Sequence, residues 1–168
     1  ASNSFRDRYP HLPDAECLAR DFSCYCAEQQ RLVTELLRAR RFRLAHAHEG
    51  LLLVHAGVTQ DDFALIGAAP ADAASAAASL NAFLDLRVEG WSGGSLDLTP
   101  LHQPGSAEGG AARGMLFHRP AMPTDSPQFQ GPPRRRFDPR QLPAAFPQAI
   151  GHTRDKKSRE LLAAWADQ

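Results

Sequence analysis

Apolar residues recur at steps of three, four and seven near the start of the chain, at Leu18, Phe22, Tyr25, Leu32, Val33, Leu36 and Leu37. That spacing lines one stripe of a helix and predicts an amphipathic helix from Asp14 to about Arg41. Pro13 and Asp14 mark its start, because an aspartate oxygen can accept from an orphan amide of the first turn. Arg38, Arg40 and Arg41 suit the negative end of its dipole. The period then changes. Phe42-Arg43-Leu44-Ala45 alternates like a strand, His46-Ala47-His48-Glu49-Gly50 reads as a polar turn, and Leu51 to His55 reads as a continuous buried strand ending in Ala56-Gly57. A β-hairpin that carries His55 to a strand end is the expectation.

Further on, Gln60 to Ile66 and Ala71 to about Leu86 read as helices, the second rich in alanine and closed near Gly90. Trp91 to Gly114 is dense in glycine, proline and serine and predicts a long loop. Gly114 to His118 reads as a short apolar strand, followed by a second proline-rich loop through Pro133. Pro139 to Phe146 predicts a short helix, Gln148-Ala149-Ile150 a short strand, Gly151-His152-Thr153 its terminal turn, and Asp155 to Ala166 a closing helix with Leu161, Leu162 and Trp165 on one side. No internal repeat or linker divides the chain, so residues 1–168 are expected to belong to one domain.

Composition narrows the function. The 168 residues, 43% of them apolar, suffice for one core. Nineteen basic and nineteen acidic side chains cancel, which excludes a net field drawing the whole protein onto nucleic acid or anionic lipid. The longest strongly apolar run, Leu51 to Val54, is far too short to span a bilayer, so no membrane partner is expected. The start of the chain lacks the basic and apolar stretches of a signal peptide, and without an initiator methionine it suggests a processed or truncated beginning. Cys17, Cys24 and Cys26 are odd in number and crowded, which fits a reducing compartment and a cytoplasmic location. Cys24 and Cys26 would point to different faces of a helix and read as ordinary thiols.

Candidate chemistry lies at two strand-to-turn junctions, Val54-His55-Ala56-Gly57 and Ile150-Gly151-His152-Thr153. Strand ends are where α/β folds gather ligands, and the glycines allow sharp turns beside an imidazole. Between them stands Arg113-Gly114-Met115-Leu116-Phe117. In this order the three elements resemble the later motifs of the calcineurin-like metallophosphoesterase superfamily, in its serine/threonine phosphatase and symmetrical diadenosine tetraphosphatase-like branch. The resemblance covers roughly residues 30 to 165.

It implies that His55 and His152 are metal ligands and that Arg113 binds the substrate phosphate, a task suited to the planar guanidinium fork. It implies two divalent metal ions (Mn, Fe, Zn or Mg) in the complete domain and a phosphorylated substrate: a phosphomonoester, phosphoprotein or dinucleoside polyphosphate. The fold implied is α/β, the C-terminal part of an α/β/β/α sandwich with an N-terminal long helix, a β-hairpin and long loops. Thr153-Arg154 follows His152, so the Gly-His-x-His variant is absent.

The family's Gly-Asp-x-His, Gly-Asp-x-x-Asp-Arg-Gly and Gly-Asn-His motifs are also absent, and Asn3 and Asn81 stand in no such context. Two neutral imidazoles do not hold a pair of hard ions. The chain alone is therefore expected to hydrolyse little, to be a partial domain, and to need the missing N-terminal half or a complementing chain. One sheet would then lack its mate and expose apolar surface. The alternative is a non-catalytic binding or regulatory module on the same scaffold. Arg134, Arg135, Arg136 and Arg140 with Phe137 form a basic cluster, but one aromatic is no stacking series and a nucleic-acid partner is not expected. His46 and His48 read as solvated turn residues, and His102 and His118 as polar loop residues or hydrogen-bonded neighbours.

Overall fold

A computed structural model describes residues 27–94, 96–103, 113–120 and 136–152, with Lys156 and Arg159. Its contacts divide the chain into two units, Ala1–Arg41 and Phe42–Gln168. In the first, helix α1 runs over Ala27–Arg38, the later part of the helix expected from Asp14. Residues 14–26, with the three cysteines, lie outside the described residues. Arg40 takes a left-handed φ of 55°. The Arg40 and Arg41 amides then donate to the carbonyls of Leu37 (3.0 Å) and Leu36 (2.8 Å), a Schellman cap that stops the helix.

The second unit is mixed α/β. It runs through β1 (Ala45–His48), β2 (Leu51–Val54), α2 (Gln60–Leu65), α3 (Ala73–Glu89), β3 (His102–Gln103), β4 (Arg113–Gly114), β5 (Arg119–Pro120), β6 (Arg136–Phe137), a 3₁₀ turn (Pro139–Gln141) and β7 (Gln148–Ile150). Strands β1, β2 and β7 form one sheet in that order, with β1 antiparallel and β7 parallel to β2.

The hairpin turn is shorter than its polar sequence suggests. Glu49 (φ 49°) and Gly50 (φ 79°) alone make the reversal, with His48 opposite Leu51. Two successive left-handed residues match the twist of the flanking strands, so His46 and His48 belong to β1 rather than to the turn. The strand also begins later than expected. Both the Leu44 and Ala45 amides donate to Asn81 Oδ1 from α3, at 3.0 and 3.3 Å, which closes this edge of the sheet.

Helix α3 lies against β1 and β2. It is capped by Asp72, whose carboxylate accepts from the Ser75 amide at 2.7 Å, and it ends at Gly90. Its buried stripe, Ala73, Ala76, Ala77, Leu80, Leu84 and Val88, has helical spacing and small side chains that let it approach Ala45, Leu52 and Val54 closely. Each fully buried leucine contributes about 2 kcal/mol of hydrophobic stabilisation. The opposite face carries His46, His48, Leu53 and Ala149, all exposed, so β2 is buried on one face instead of both.

Two further expectations change. After Arg113–Gly114 the chain turns instead of extending to His118, because the Phe117 and His118 amides both return to the Gly114 carbonyl, at 2.8 and 3.0 Å. Pro139 starts only a single 3₁₀ turn, which ends when Leu142 becomes extended. Residues 104–112, 121–135 and 153–155 lie outside the described residues. So does most of the closing helix, in which Lys156 and Arg159 are helical. Among the described residues no helix is long and apolar enough to cross a membrane.

Candidate functional site

The parallel pairing of β2 with β7 sets Val54 beside Ile150, which brings the residues just past both strand ends together. The Gly151 amide donates to the Val54 carbonyl at 3.2 Å, and a Cβ on Gly151 would come within 3.2 Å of the His55 carbonyl oxygen. His152 then adopts φ 63°. A left-handed conformation is uncommon for a side-chain-bearing residue and disfavoured by about 1–2 kcal/mol, the kind of local strain that collects at functional sites. It accompanies a direct contact: His55 Nε2 and His152 Nδ1 are 3.0 Å apart, one donating and the other accepting, although 97 residues separate them.

The loop after His55 is held from three sides. Gln148 of β7 clamps Val58 in both directions, its Oε1 accepting from the Val58 amide at 3.1 Å and its Nε2 donating to the Val58 carbonyl at 2.7 Å. Gly57 has φ 97°, and a Cβ there would meet the Phe137 ring at 2.9 Å. Asp62 of α2 is 2% exposed and accepts from the Thr59 amide (3.0 Å) and hydroxyl (2.8 Å). On its other side Asp62 Oδ2 is 3.6 Å from Nδ1 of the buried His118.

His118 links this loop to the segment beside His152. The Phe117 ring is 5.3 Å from the His152 ring, and the Arg119 guanidinium is 5.8 Å from the Phe117 centroid. Burial holds the His152 imidazole below its usual pKa of 6.5, helped by the neighbouring His55 and by the positive charge of Arg119. The neutral form is the one that can ligate a metal. His152 Nε2 is buried without a hydrogen-bond partner among the described residues.

Of the three residues singled out in sequence, His55 and His152 are brought together. The Arg113 backbone pairs with Gln103, while its side chain lies outside the described set. Gly114 beside it has φ 103°, and a Cβ would collide with the Leu101 carbonyl at 2.1 Å, so the Arg-Gly pair has a structural demand for its glycine. His118 is buried, with the Asp62 carboxylate 3.6 Å from its Nδ1. Phe137 is 2% exposed and packs in the core, and Arg140 is bound to Asp138 at 2.5 Å. Sequence reasoning missed Gln148, Asp62 and Arg119. Asp62 alone left a signal, the Thr59-x-x-Asp62 capping spacing.

Two nitrogens sharing one zinc ion at bond lengths of about 2.0–2.1 Å lie about 3.3 Å apart in tetrahedral geometry. The 3.0 Å separation of His55 Nε2 and His152 Nδ1 is close to that, so the pair fits two ligands of a single ion. Among the described residues no group of three or more His, Cys, Asp or Glu side chains is placed to hold a metal. The described residues therefore fit part of a metal site only. No protein-family model, curated protein or solved structure matches the chain. Geometry and motif order are what remain to support a function.

Proposed function

We propose that this chain contributes two imidazole ligands, His55 and His152, and phosphate-binding arginine to a metal-dependent phosphoesterase of the calcineurin-like type. The carboxylate ligands would come from a preceding segment or a complementing chain. The supporting observation is the convergence of two motif histidines on one point, 3.0 Å apart, at the ends of adjacent parallel strands. The open face of the β1-β2-β7 sheet, with Leu53 37% exposed, is consistent with one layer of a sandwich whose second layer is supplied elsewhere. Metal there would polarise a phosphoryl oxygen and supply a nucleophilic hydroxide. The chain's own residues would orient the phosphate and, through burial, favour the neutral form of His152.

The test is hydrolysis of an aryl phosphate with manganese by this chain joined to a segment bearing the three missing motifs. Turnover that collapses in His55→Ala and in His152→Ala is expected. Turnover unchanged in both variants, or none in a folded, metal-loaded protein, would overturn the reading.

A further inference from the structure

Arg119 opens β5 and pairs through its backbone with Arg136. Its side chain is half-buried, and the guanidinium lies near the face of Phe117, the ring that also approaches His152. A cation–π contact of this kind holds a guanidinium beside the ring. Arg119 Nε is buried and has no hydrogen-bond partner among the described residues. A buried, charged donor left unpaired costs more than a neutral one, so this nitrogen calls for an anionic acceptor. His152 Nε2, on the imidazole that contacts Phe117, is likewise buried without a partner. The two unpartnered atoms belong to one cluster, in which the Phe117 ring lies between the Arg119 guanidinium and the His152 ring.

We infer that Arg119 is an anion-binding residue of the His55–His152 site, its planar fork gripping two oxygens of a phosphoryl group. The ligand class is a tetrahedral phosphate oxyanion, since only a group with several equivalent oxygens serves both a guanidinium fork and the neighbouring imidazoles. The inference rests on the phosphoesterase reading of the histidines and adds to it a residue that the motif resemblance does not include.

Inorganic phosphate titrated into the full chain, followed by calorimetry and by the His152 ring resonances, tests it. Arg119→Met keeps most of the aliphatic stem and should weaken phosphate at least about tenfold, while Arg31→Ala, which removes one exposed charge from α1, should change it less than twofold. Arg119→Lys keeps the charge without the fork and should bind about threefold more weakly. Phosphate affinity within twofold of wild type in a folded Arg119→Met chain overturns the inference. If that variant fails to fold, wild-type affinity in Arg119→Lys overturns the two-oxygen grip. Zinc titration and turnover separate the two levels of the argument. Zinc binding lost in His55→Ala, together with phosphate binding indifferent to Arg119, removes this inference alone. Phosphate held through Arg119, with no turnover by the chain joined to the three missing motifs, removes the phosphoesterase reading and supports the anion site.

Discussion

The second unit carries two pairs of histidines that differ in nearly every respect except residue type. His46 and His48 are two residues apart on one exposed face of β1, with His48 67% exposed and its Nε2 3.9 Å from Glu49. His55 and His152 are distant in sequence and in direct contact. Strand geometry gives i and i+2 a common face, but both side chains of the first pair are exposed. The second pair converges because two parallel strands end side by side and the loops beyond them are held by buried polar bonds. Proximity in sequence gives a shared direction; a scaffold gives a site.

Removing the scaffold is the most forceful way to break that contrast. Asp62→Ala strands the Thr59 amide and hydroxyl and leaves His118 without its carboxylate, all in buried surroundings. A loss of about 3 kcal/mol in urea denaturation is expected. His46→Ala or His48→Ala, on the exposed face, should stay within about 0.5 kcal/mol of wild type. Equal effects at the two places would erase the distinction between a supported and an unsupported pair.

Gly57→Ala attacks the same loop from its backbone. The substituted residue must hold φ 97° with its Cβ 2.9 Å from the Phe137 ring, which cannot give way easily because Phe137 is itself buried. About 2 kcal/mol should be lost, with the denaturation midpoint falling and its slope unchanged. Gly50, equally left-handed but with open space where a Cβ would be, should tolerate alanine at a smaller cost from backbone strain alone.

What was legible in the sequence follows the same division. Helical spacing, the Gly90 boundary and the strand at Gln148–Ile150 are local signals, and each corresponds to an observed element. The pairing of His55 with His152 was suggested by motif order, since periodicity says nothing about which strand ends become neighbours. The hairpin itself is legible, but its turn reads as too long because polar composition masks strand pairing at His46 and His48. The extended reading of Met115–Phe117 failed because a left-handed Gly114 lets two amides return to one carbonyl. Gln148 had no local signature at all; its partner Val58 lies 90 residues away.

Zinc affinity compares the two pairs directly. In the chain alone, His55→Ala should weaken zinc binding at least about tenfold in calorimetry at pH 7.5, because one imidazole on its own has no chelate advantage. The double variant His46→Ala/His48→Ala should change it less than about twofold, as the exposed pair is not held in a chelating arrangement. The reverse ranking would move the metal site to β1.

The smallest effect concerns a prop behind the site. Phe137, packed against Gly57, is followed by Asp138, which accepts from the Arg140 amide at 2.9 Å and is bound by the Arg140 guanidinium. That side-chain bond is the main reason the Asp138 carboxyl is held below its usual value of 3.8. A carboxyl whose folded pKa is depressed adds stability that is present above about pH 4 and is lost as the pH falls through the folded pKa, because the unfolded chain then binds the proton first. Arg140→Gln should therefore cost about 0.5 kcal/mol at pH 7, modest because the arginine is half exposed to solvent. The difference should shrink toward zero near pH 2 as Asp138 is protonated in both proteins. A gap that instead persists or widens in acid would mean that Arg140 supports this corner of the fold through packing and not through charge.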